Sequence, residues 1–253
     1  SLLRTPLGWR AARFQCEAHR SVADLCAGLT PRVTKELVEP LCVSALNTPL
    51  AQSSGQVFLR ILHDALFAER GGADLLLPRV DLGRLLPDAA GEWLVKHGPQ
   101  LGLGQRVQSL RPLAGTDNGW DVDGEGFDRV VLAGPPWEAV RLVRAAGIDD
   151  AGWAATADGL RYEAIATVYA HGAKHPLHAP MVALRNGPQA PAQFVYDRGQ
   201  LGGPKGLLAF VVSASTAGRE QLQADVLAQA ATQLGEKALR VVQTVVEKRA
   251  TFA

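Results

Sequence analysis

The sequence predicts a mixed α/β chain of the α+β class, and three changes of pattern along its 253 residues support this prediction. Apolar residues recur at helical spacing in residues 1–73, short strand-like runs alternate with helices over 74–147, and β-type runs dominate from Leu160 onward. Hydrophobic residues make up 47% and charged residues 20% of the chain, which is ordinary globular usage and excludes disordered and fibrous classes.

The first segment is expected to form three helices, two of which carry recognisable starting signals. Ser21 followed by Asp24 predicts a capped helix start. Thr30 and Pro31 predict the next start, because the missing N–H of proline costs nothing in the first turn. Pro40, after Glu39, is expected to end or kink that helix. The third helix begins near Ser53 or Ser54 and ends before Gly71 and Gly72, with a single apolar stripe between them.

The middle segment predicts an α/β arrangement. A helix is expected over Pro87–His97, closed by Gly98, and another over 137–146 after a glycine and two prolines. Strands separated by Gly, Asp and Asn turn residues are predicted at 101–103, 107–113, 120–122 and 129–133.

The last segment predicts a larger antiparallel sheet interrupted by one helix. The helix is expected over 219–234, and the valine-rich run at 240–249 fits a buried strand. The remaining strands are predicted at 165–170, 181–184, 193–196 and 207–212.

Charge and cysteine usage narrow the class of protein. With 26 Lys and Arg against 25 Asp and Glu, the chain shows no footprint for nucleic acid and no polybasic membrane anchor. Its three cysteines form no Cys-x-x-Cys pair, and an odd number fits a reducing compartment. With no apolar run of about 20 residues and no signal-peptide pattern, we expect a cytoplasmic protein. Because the chain starts without Met at Ser1, we expect it to be part of a longer protein.

The common catalytic motifs are absent from the sequence. It has no GxxxxGK loop, no GxSxG elbow and no HExxH helix. Gly102 and Gly104 approach a dinucleotide fingerprint, but they lead into a predicted strand rather than the helix that phosphate binding needs. His171, His175 and His178 have a spacing that suits a metal, yet Gly172 and Pro176 favour a solvated loop. We therefore expect no metal site, and we expect buried rather than nucleophilic cysteines.

Two polar stretches have both a functional and a structural interpretation. Asp197 and Arg198 follow a predicted strand and precede three glycines, so they could place an acid and a donor at a cavity wall. The alternative is a hairpin turn with a surface ion pair. Asn47 ends an apolar segment, where it is either a functional amide or a helix cap.

Several ordered blocks resemble the squalene-associated FAD-dependent desaturase family, which includes the hydroxysqualene dehydroxylases of hopanoid biosynthesis. The blocks are PLCVSALNTP at 40–49, AQSSGQVFLR at 51–60, DLLLPRVDL at 74–82, VLAGPPW at 131–137, FVYDRGQLGG at 194–203 and EKRATF at 247–252. They run in order along nearly the whole chain.

This resemblance implies an FAD-dependent, amine oxidase-like fold with a substrate domain of helices over a mixed sheet. Residues 74–147 would be the middle segment of the FAD domain, and 1–73 with 148–253 would form the substrate domain. The resemblance places Val107 beside the adenine end of FAD and Pro135, Pro136 and Trp137 near the cofactor. The family's N-terminal GxGxxG turn and its C-terminal Gly-Asp segment are missing from this sequence. The chain alone is therefore expected to be inactive.

The resemblance further implies reductive dehydroxylation of hydroxysqualene to squalene. The hydroxyl would take a proton and leave as water, and a hydride from reduced flavin would form the new C–H bond. As the proton donor we predict Asp197 or Glu39, with Arg198 or Asn47 positioning the hydroxyl. Phe194 and Tyr196, with Trp93 and Trp137, are candidate tunnel walls.

Two alternatives remain, and the resemblance also implies a cellular setting. One alternative is another flavoenzyme of this fold, such as a phytoene-type desaturase, and the other is a non-catalytic lipid-binding module. The resemblance implies work beside squalene synthase-like enzymes and peripheral contact with the inner membrane.

Overall fold

The computed structural model describes residues 4–113, 115, 119–148 and 151–252. These residues form two compact units. The first unit holds the described residues up to Leu82 together with those from Tyr162 onward, and the second holds those from Gly83 to Arg161. The domain limits predicted at 73/74 and 147/148 stay predictions.

The helical part of the first unit begins with a confirmed capping signal. The Ser21 hydroxyl accepts a hydrogen bond from the Asp24 N–H at 3.2 Å, and the Asp24 carboxylate accepts one from the Ser21 N–H at 2.9 Å. These reciprocal bonds satisfy amides that a helix start leaves without partners. The helices are α1 (Arg4–Ala11), α2 (Val22–Leu25), α3 (Pro31–Val33), α4 (Glu39–Leu46) and α5 (Gly55–Leu62).

The chain continues as a helix through Pro40, so of the two expectations for this proline, an end or a kink, the end is wrong and the kink stays a prediction. A π-helical segment, Thr34–Val38, joins α3 to α4, and Pro40 lies in the first turn of α4. Proline lacks an N–H and crowds the preceding turn, and the wider π-helical spacing relieves both problems. Helix α4 ends at Asn47, which takes the left-handed conformation with a φ of 50°.

Helix α5 supplies much of the packing in the helical part. The Ser54 hydroxyl caps it by accepting from the Val57 N–H, and its buried apolar side chains are Phe58, Leu59 and Leu62. A second π-helical segment, His63–Phe67, continues it. The core of the helical part packs together the side chains of Val22, Cys26, Val38, Cys42, Phe58 and Leu62.

The predicted antiparallel sheet is confirmed. Its strands are β4 (Tyr162–His171), β5 (Met181–Ala183), β6 (Phe194–Asp197), β7 (Leu207–Ser213) and β8 (Arg240–Phe252). They lie in the order β5-β6-β7-β4-β8, and every neighbouring pair is antiparallel. The predicted helix between β7 and β8 is α10 (Arg219–Gln233).

One face of this sheet is sealed by α10. Val168, Val195 and Phe210 are fully buried there, against Leu222 and Val226 of the helix. Burying such a side chain stabilises the fold by about 1.5–3 kcal/mol, so this sealed face is the main core of the unit.

Strand β8 is an exposed edge strand, so the expectation of a buried strand at 240–249 is wrong. It pairs with β4 on one side only, and Val242 and Val245 are 60% and 44% exposed. A valine-rich composition favours a strand but does not specify its place in the sheet.

The second unit contains helices and a small sheet in the order β1-β2-β3. The elements of the second unit are α6 (Leu82–Leu85, beginning at the end of the first unit), α7 (Pro87–His97), β1 (Leu110–Pro112), β2 (Trp120–Val122), β3 (Glu125–Phe127), α8 (Pro136–Ala145) and α9 (Trp153–Asp158). Helix α7 and its left-handed cap at Gly98 are confirmed.

Two predicted strands of this unit are wrong, and a third is shorter than expected. Residues 101–103 and 129–133 belong to no strand, because the described residues offer their backbones no pairing partner. The strand predicted at 107–113 shrinks to β1. Arg141 donates to the Val107 and Gln108 carbonyls, at 2.6 and 3.1 Å, and these bonds replace strand pairing there.

Candidate functional site

An apolar cavity of about 550 Å³ lies in the first unit, between α4, α5 and the sheet face opposite α10. This volume is typical of small-molecule sites. Its walls are Leu41, Ser44, Ala45, Ile61, Leu62, Ala65, Leu66, Gly72, Ala73, Asp74, Leu75, Ile165, Met181, Phe194, Tyr196, Val211 and Ser213.

The floor of this cavity is built from alternate residues of four strands. Phe194 and Tyr196 lie two positions apart on β6 and so point to the same side of the sheet. Phe194 stands opposite Val211, Tyr196 opposite Met181, and Ser213 opposite Ile165. The intervening Val195 faces α10. A single strand thus serves the sealed core and the cavity at once.

Only a few polar side chains line the cavity. The Ser44 hydroxyl donates to the Leu41 carbonyl at 3.0 Å, so its proton is already used. Asp74 is an exposed carboxylate. Tyr196 is half-buried, and burial raises the pKa of its phenol above the ordinary value of 10.0. The phenol is therefore protonated at neutral pH and can donate a hydrogen bond.

Asn47 lies at the end of α4 and links it to strands β4 and β8 and to the residue that follows β7. Its amide donates to the Thr251 hydroxyl at 2.9 Å and to the Ala164 carbonyl at 3.4 Å. Its carbonyl oxygen accepts from the Ala214 N–H at 2.7 Å. With only 3% of its surface exposed, it does not line the cavity. This placement corresponds to the helix-cap interpretation, and its predicted positioning role stays a prediction.

Asp197 is buried on the side of β6 away from Tyr196 and caps a short 3-10 helix, Arg198–Leu201. Its carboxylate accepts from the Leu177 and Gly199 N–H groups, both at 3.0 Å, and from the Gln200 amide at 2.9 Å. It borders a separate cavity of about 440 Å³, with His171 among the walls. Three donors hold the carboxylate as an acceptor of hydrogen bonds.

The other predicted catalytic residues lie outside the walls of the apolar cavity. Arg198 follows Asp197 in the 3-10 helix, and Glu39 begins α4 beside Pro40. The structure does not bring Glu39, Asn47, Asp197 and Arg198 into one site. Their catalytic roles stay predictions.

The predicted cofactor contacts belong to the second unit. Pro135 precedes α8 as its cap residue, and Pro136 and Trp137 form the first turn of that helix. The Val107 carbonyl, which the resemblance places beside adenine, already accepts from Arg141.

These residues fit FAD only in part. A pyrophosphate needs a glycine-rich turn that leads into a helix N-terminus. Gly102 and Gly104 lie instead in a segment with no helix or strand from 101 to 109. The described part of this chain therefore supplies no site for the pyrophosphate.

The structure shows no metal centre within the described residues, since no group of three or more potential ligands converges there. Of the three clustered histidines, His171 donates from Nε2 to the Lys205 carbonyl, 3.2 Å away. Cys26 and Cys42 are buried, and burial raises the pKa of the Cys26 thiol to about 11.

No protein-family model matches the sequence, and no curated protein matches it either. Solved structures do match. An oxidoreductase from Methanosarcina mazei has a TM-score of 0.69 at 15% identity, and the match covers 97% of this chain and 60% of the oxidoreductase chain. Reduced UDP-galactopyranose mutase has a TM-score of 0.60 at 14% identity, over 96% and 58%. A putrescine oxidase with redesigned cofactor binding has a TM-score of 0.64 at 16% identity, over 89% and 53%.

These similarities confirm the predicted fold class. The chain has the mixed helix-and-sheet fold of FAD-dependent, amine oxidase-like oxidoreductases. It spans 53–60% of the length of these three structures. No helix among the described residues is long and apolar enough to cross a membrane.

Sequence reasoning found part of the cavity and missed the rest. Phe194 and Tyr196, named as tunnel walls, do line it, whereas Trp93 and Trp137 belong to the second unit. Met181, Ile165 and the α4 wall were missed. The signal was present in the strands, where every second residue falls on one face.

Proposed function

We propose that this chain provides the substrate-binding part of a flavin-dependent oxidoreductase that acts on a long isoprenoid. The most direct reaction is the reductive removal of the hydroxyl group from hydroxysqualene to give squalene, in hopanoid biosynthesis. The observation that carries the proposal is the 550 Å³ cavity, whose walls are mostly aliphatic or aromatic.

The cavity chemistry matches a hydrocarbon with a single oxygen. Each buried CH₂ group gains about 0.8 kcal/mol on leaving water, so an apolar wall binds an isoprenoid chain without specific polar contacts. A charged amine or a sugar nucleotide would need buried charges or many hydrogen bonds instead. Among the lining residues only Asp74 carries a charge, and it is exposed.

The same walls would protect a reactive intermediate. Loss of an allylic hydroxyl leaves a delocalised cation, which water would trap. Leu62, Phe194 and Val211 present apolar surface on the floor and the α5 wall of the cavity, and with a substrate bound they would keep water away from it. In this proposal the chain binds and shields the substrate.

The flavin belongs to the proposed whole protein rather than to this chain alone. FAD would supply the hydride there, with Val107, Pro135, Pro136 and Trp137 among its contacts. Because the described residues lack a pyrophosphate site, we expect the purified chain to lose FAD on desalting. Retained visible flavin absorbance would contradict this part of the proposal.

One observation favours a second candidate, a non-catalytic lipid-binding module. The cavity is formed within one unit, whereas the described residues offer no glycine-rich turn leading into a helix N-terminus for the pyrophosphate. A desaturase of the phytoene type would use the same cavity with hydride moving in the opposite direction. Product analysis of the longer protein with hydroxysqualene and with squalene separates these activities.

Ligand retention by the purified chain tests the proposal. The chain is incubated with hydroxysqualene, squalene and putrescine, each supplied from cyclodextrin or buffer, and bound ligand is quantified by mass spectrometry after gel filtration. We expect both isoprenoids to be retained and putrescine to be lost. Retention of putrescine alone, or of no ligand, would contradict an isoprenoid site.

A cellular setting follows from the same proposal. We propose that the substrate arrives from a squalene synthase-like enzyme and that the product passes to the inner membrane, which the protein contacts peripherally from the cytoplasm. Co-purification of the longer protein with such a synthase would support the first part.

A further inference from the structure

The predicted hydroxyl-binding residues leave the cavity without an assigned polar partner for the substrate oxygen. Asn47 and Asp197 are engaged in structural hydrogen bonds, and neither lines the cavity. The Ser44 proton is used by Leu41. Of the polar cavity walls, the exposed carboxylate of Asp74, the Tyr196 phenol and the Ser213 hydroxyl remain, and of these only Tyr196 combines a donor with apolar neighbours.

We propose that the Tyr196 hydroxyl is the oxygen-recognising group of the cavity, donating a hydrogen bond to the hydroxyl of an isoprenoid alcohol. This inference rests on the proposed function and deepens it. In this inference Tyr196 is the residue that selects a hydroxylated isoprenoid over the matching hydrocarbon.

The first support is the unused bonding capacity of the phenol. Among the described residues, the Tyr196 hydroxyl has no hydrogen-bond partner. The hydroxyl is also not sealed inside the protein, since no buried side-chain polar atom among the described residues lacks a partner. A phenol that is open and unpaired can therefore meet a ligand without first breaking a bond within the protein.

The second support is the apolar setting of Tyr196. Met181 stands directly opposite it, and Phe194 lies two residues before it on the same face. Burial among such neighbours raises the pKa of the phenol, which keeps it a donor across the neutral range. A hydrogen bond made in apolar surroundings is stronger than the same bond in water.

Ser213 provides the contrast. It lies at the other end of the floor, four residues along β7 from the position opposite Tyr196 and about 14 Å from it by strand spacing. An alcohol held at Tyr196 is therefore out of reach of Ser213. An aliphatic hydroxyl is also a weaker acid than a phenol, and hence a weaker donor.

A matched pair of ligands tests this inference. Farnesol and farnesene share an isoprenoid skeleton and differ in the hydroxyl group, and the equilibrium binding of each to the purified chain is measured from cyclodextrin. For Tyr196→Phe we expect farnesol to bind roughly 3- to 12-fold more weakly, while farnesene changes by less than about twofold.

Two control variants make the result specific. Tyr169→Phe removes a phenol from the same sheet face, two strands away on β4 and outside the cavity walls, and Ser213→Ala removes the other hydroxyl. Both are expected to leave the farnesol-to-farnesene ratio unchanged.

The possible outcomes separate this inference from the proposed function. If Tyr196→Phe weakens farnesol and farnesene equally, or weakens neither, the role of Tyr196 is overturned while the cavity assignment stays intact. Failure of the native chain to bind either ligand would overturn the proposed function, and the inference with it. Selective loss of farnesol supports both.

Discussion

The two faces of the five-stranded sheet show how one set of strands produces both stability and a binding site. On the sealed face, Phe210 and Val195 meet Leu222 of α10 with no surface left exposed beyond 1%. On the opposite face, Phe194 and Tyr196 are only half-buried and border a cavity of about 550 Å³. The two sets alternate along the same strands, so the difference comes from what covers each face.

The covering helices differ in regularity. Helix α10 is a regular 15-residue helix. On the cavity face, α4 follows one π-helical segment and α5 runs into another, and Ala65 and Leu66 of the second segment line the cavity. Such widened turns are rare in proteins as a whole, and many of those that do occur lie at functional sites. Regular packing thus goes with the closed core and irregular packing with the cavity.

The largest expected effect separates the two faces by stability. Phe210→Ala removes a fully buried ring and should lower the free energy of unfolding by about 3–5 kcal/mol. Phe194→Ala, on the cavity face, should cost about 2 kcal/mol or less, because its ring is only partly buried. Urea denaturation of the two variants measures both values. Equal losses would contradict the distinction between a sealed and an open face.

A smaller effect on stability is expected where Asn47 connects the end of α4 to the sheet. Asn47→Ala removes three hydrogen bonds and places alanine at a φ of 50°, so we expect a loss of about 2–4 kcal/mol. Asn47→Gly keeps the left-handed backbone and should lose less. If Asn47→Ala unfolds at the same urea concentration as the native chain, the structural role is wrong.

The stabilities of variants at Asp197 and Tyr196 compare the two sides of strand β6. Asp197→Asn replaces an oxygen acceptor with an NH₂ group facing backbone donors and should cost about 1–3 kcal/mol. Tyr196→Phe removes a hydroxyl with no protein partner and should change stability by less than about 0.5 kcal/mol. Thermal unfolding followed by circular dichroism checks both. A greater loss in Tyr196→Phe would mean that its hydroxyl stabilises the fold.

The last expected effect is a pH dependence from the helical core that holds Cys26. Burial raises the pKa of Cys26 from 9.0 to about 11, so the folded state holds the thiol proton more tightly than the unfolded state does. This contribution to stability is complete below pH 9 and is lost as the pH rises to about 11. Cys26→Ala should flatten the stability profile over that window. An unchanged slope would contradict a buried thiol.

The sequence predicted the regular elements of the fold well, because their signals are local. The Ser21 cap, the Gly98 stop and helix α10 follow from spacing and capping chemistry, and the structure confirms them. The antiparallel sheet follows from short β-type runs between turn residues. Prediction was less successful where the backbone or its partners decide the outcome: the helix does not end at Pro40, which follows a π-helical segment, and 129–133 finds no strand partner among the described residues.

The candidate site was harder to predict, because polar residues attract attention whatever their partners. Asn47 and Asp197 stood out as acids and amides near apolar segments, but the structure occupies them with backbone donors and acceptors from residues distant in sequence. The cavity walls are ordinary apolar residues. Only the pairing of β5, β6, β7 and β4 shows which of them share a face.

The most direct test of the central claim blocks the cavity and measures isoprenoid binding. Ala45 lines the cavity from α4, and Ala224 is an equally exposed helical alanine on α10. Squalene binding to Ala45→Phe should weaken by about tenfold or more, since the ring takes up space that the ligand needs, while Ala224→Phe should bind like the native chain. Unchanged squalene binding in Ala45→Phe would contradict the assignment of this cavity as the substrate site.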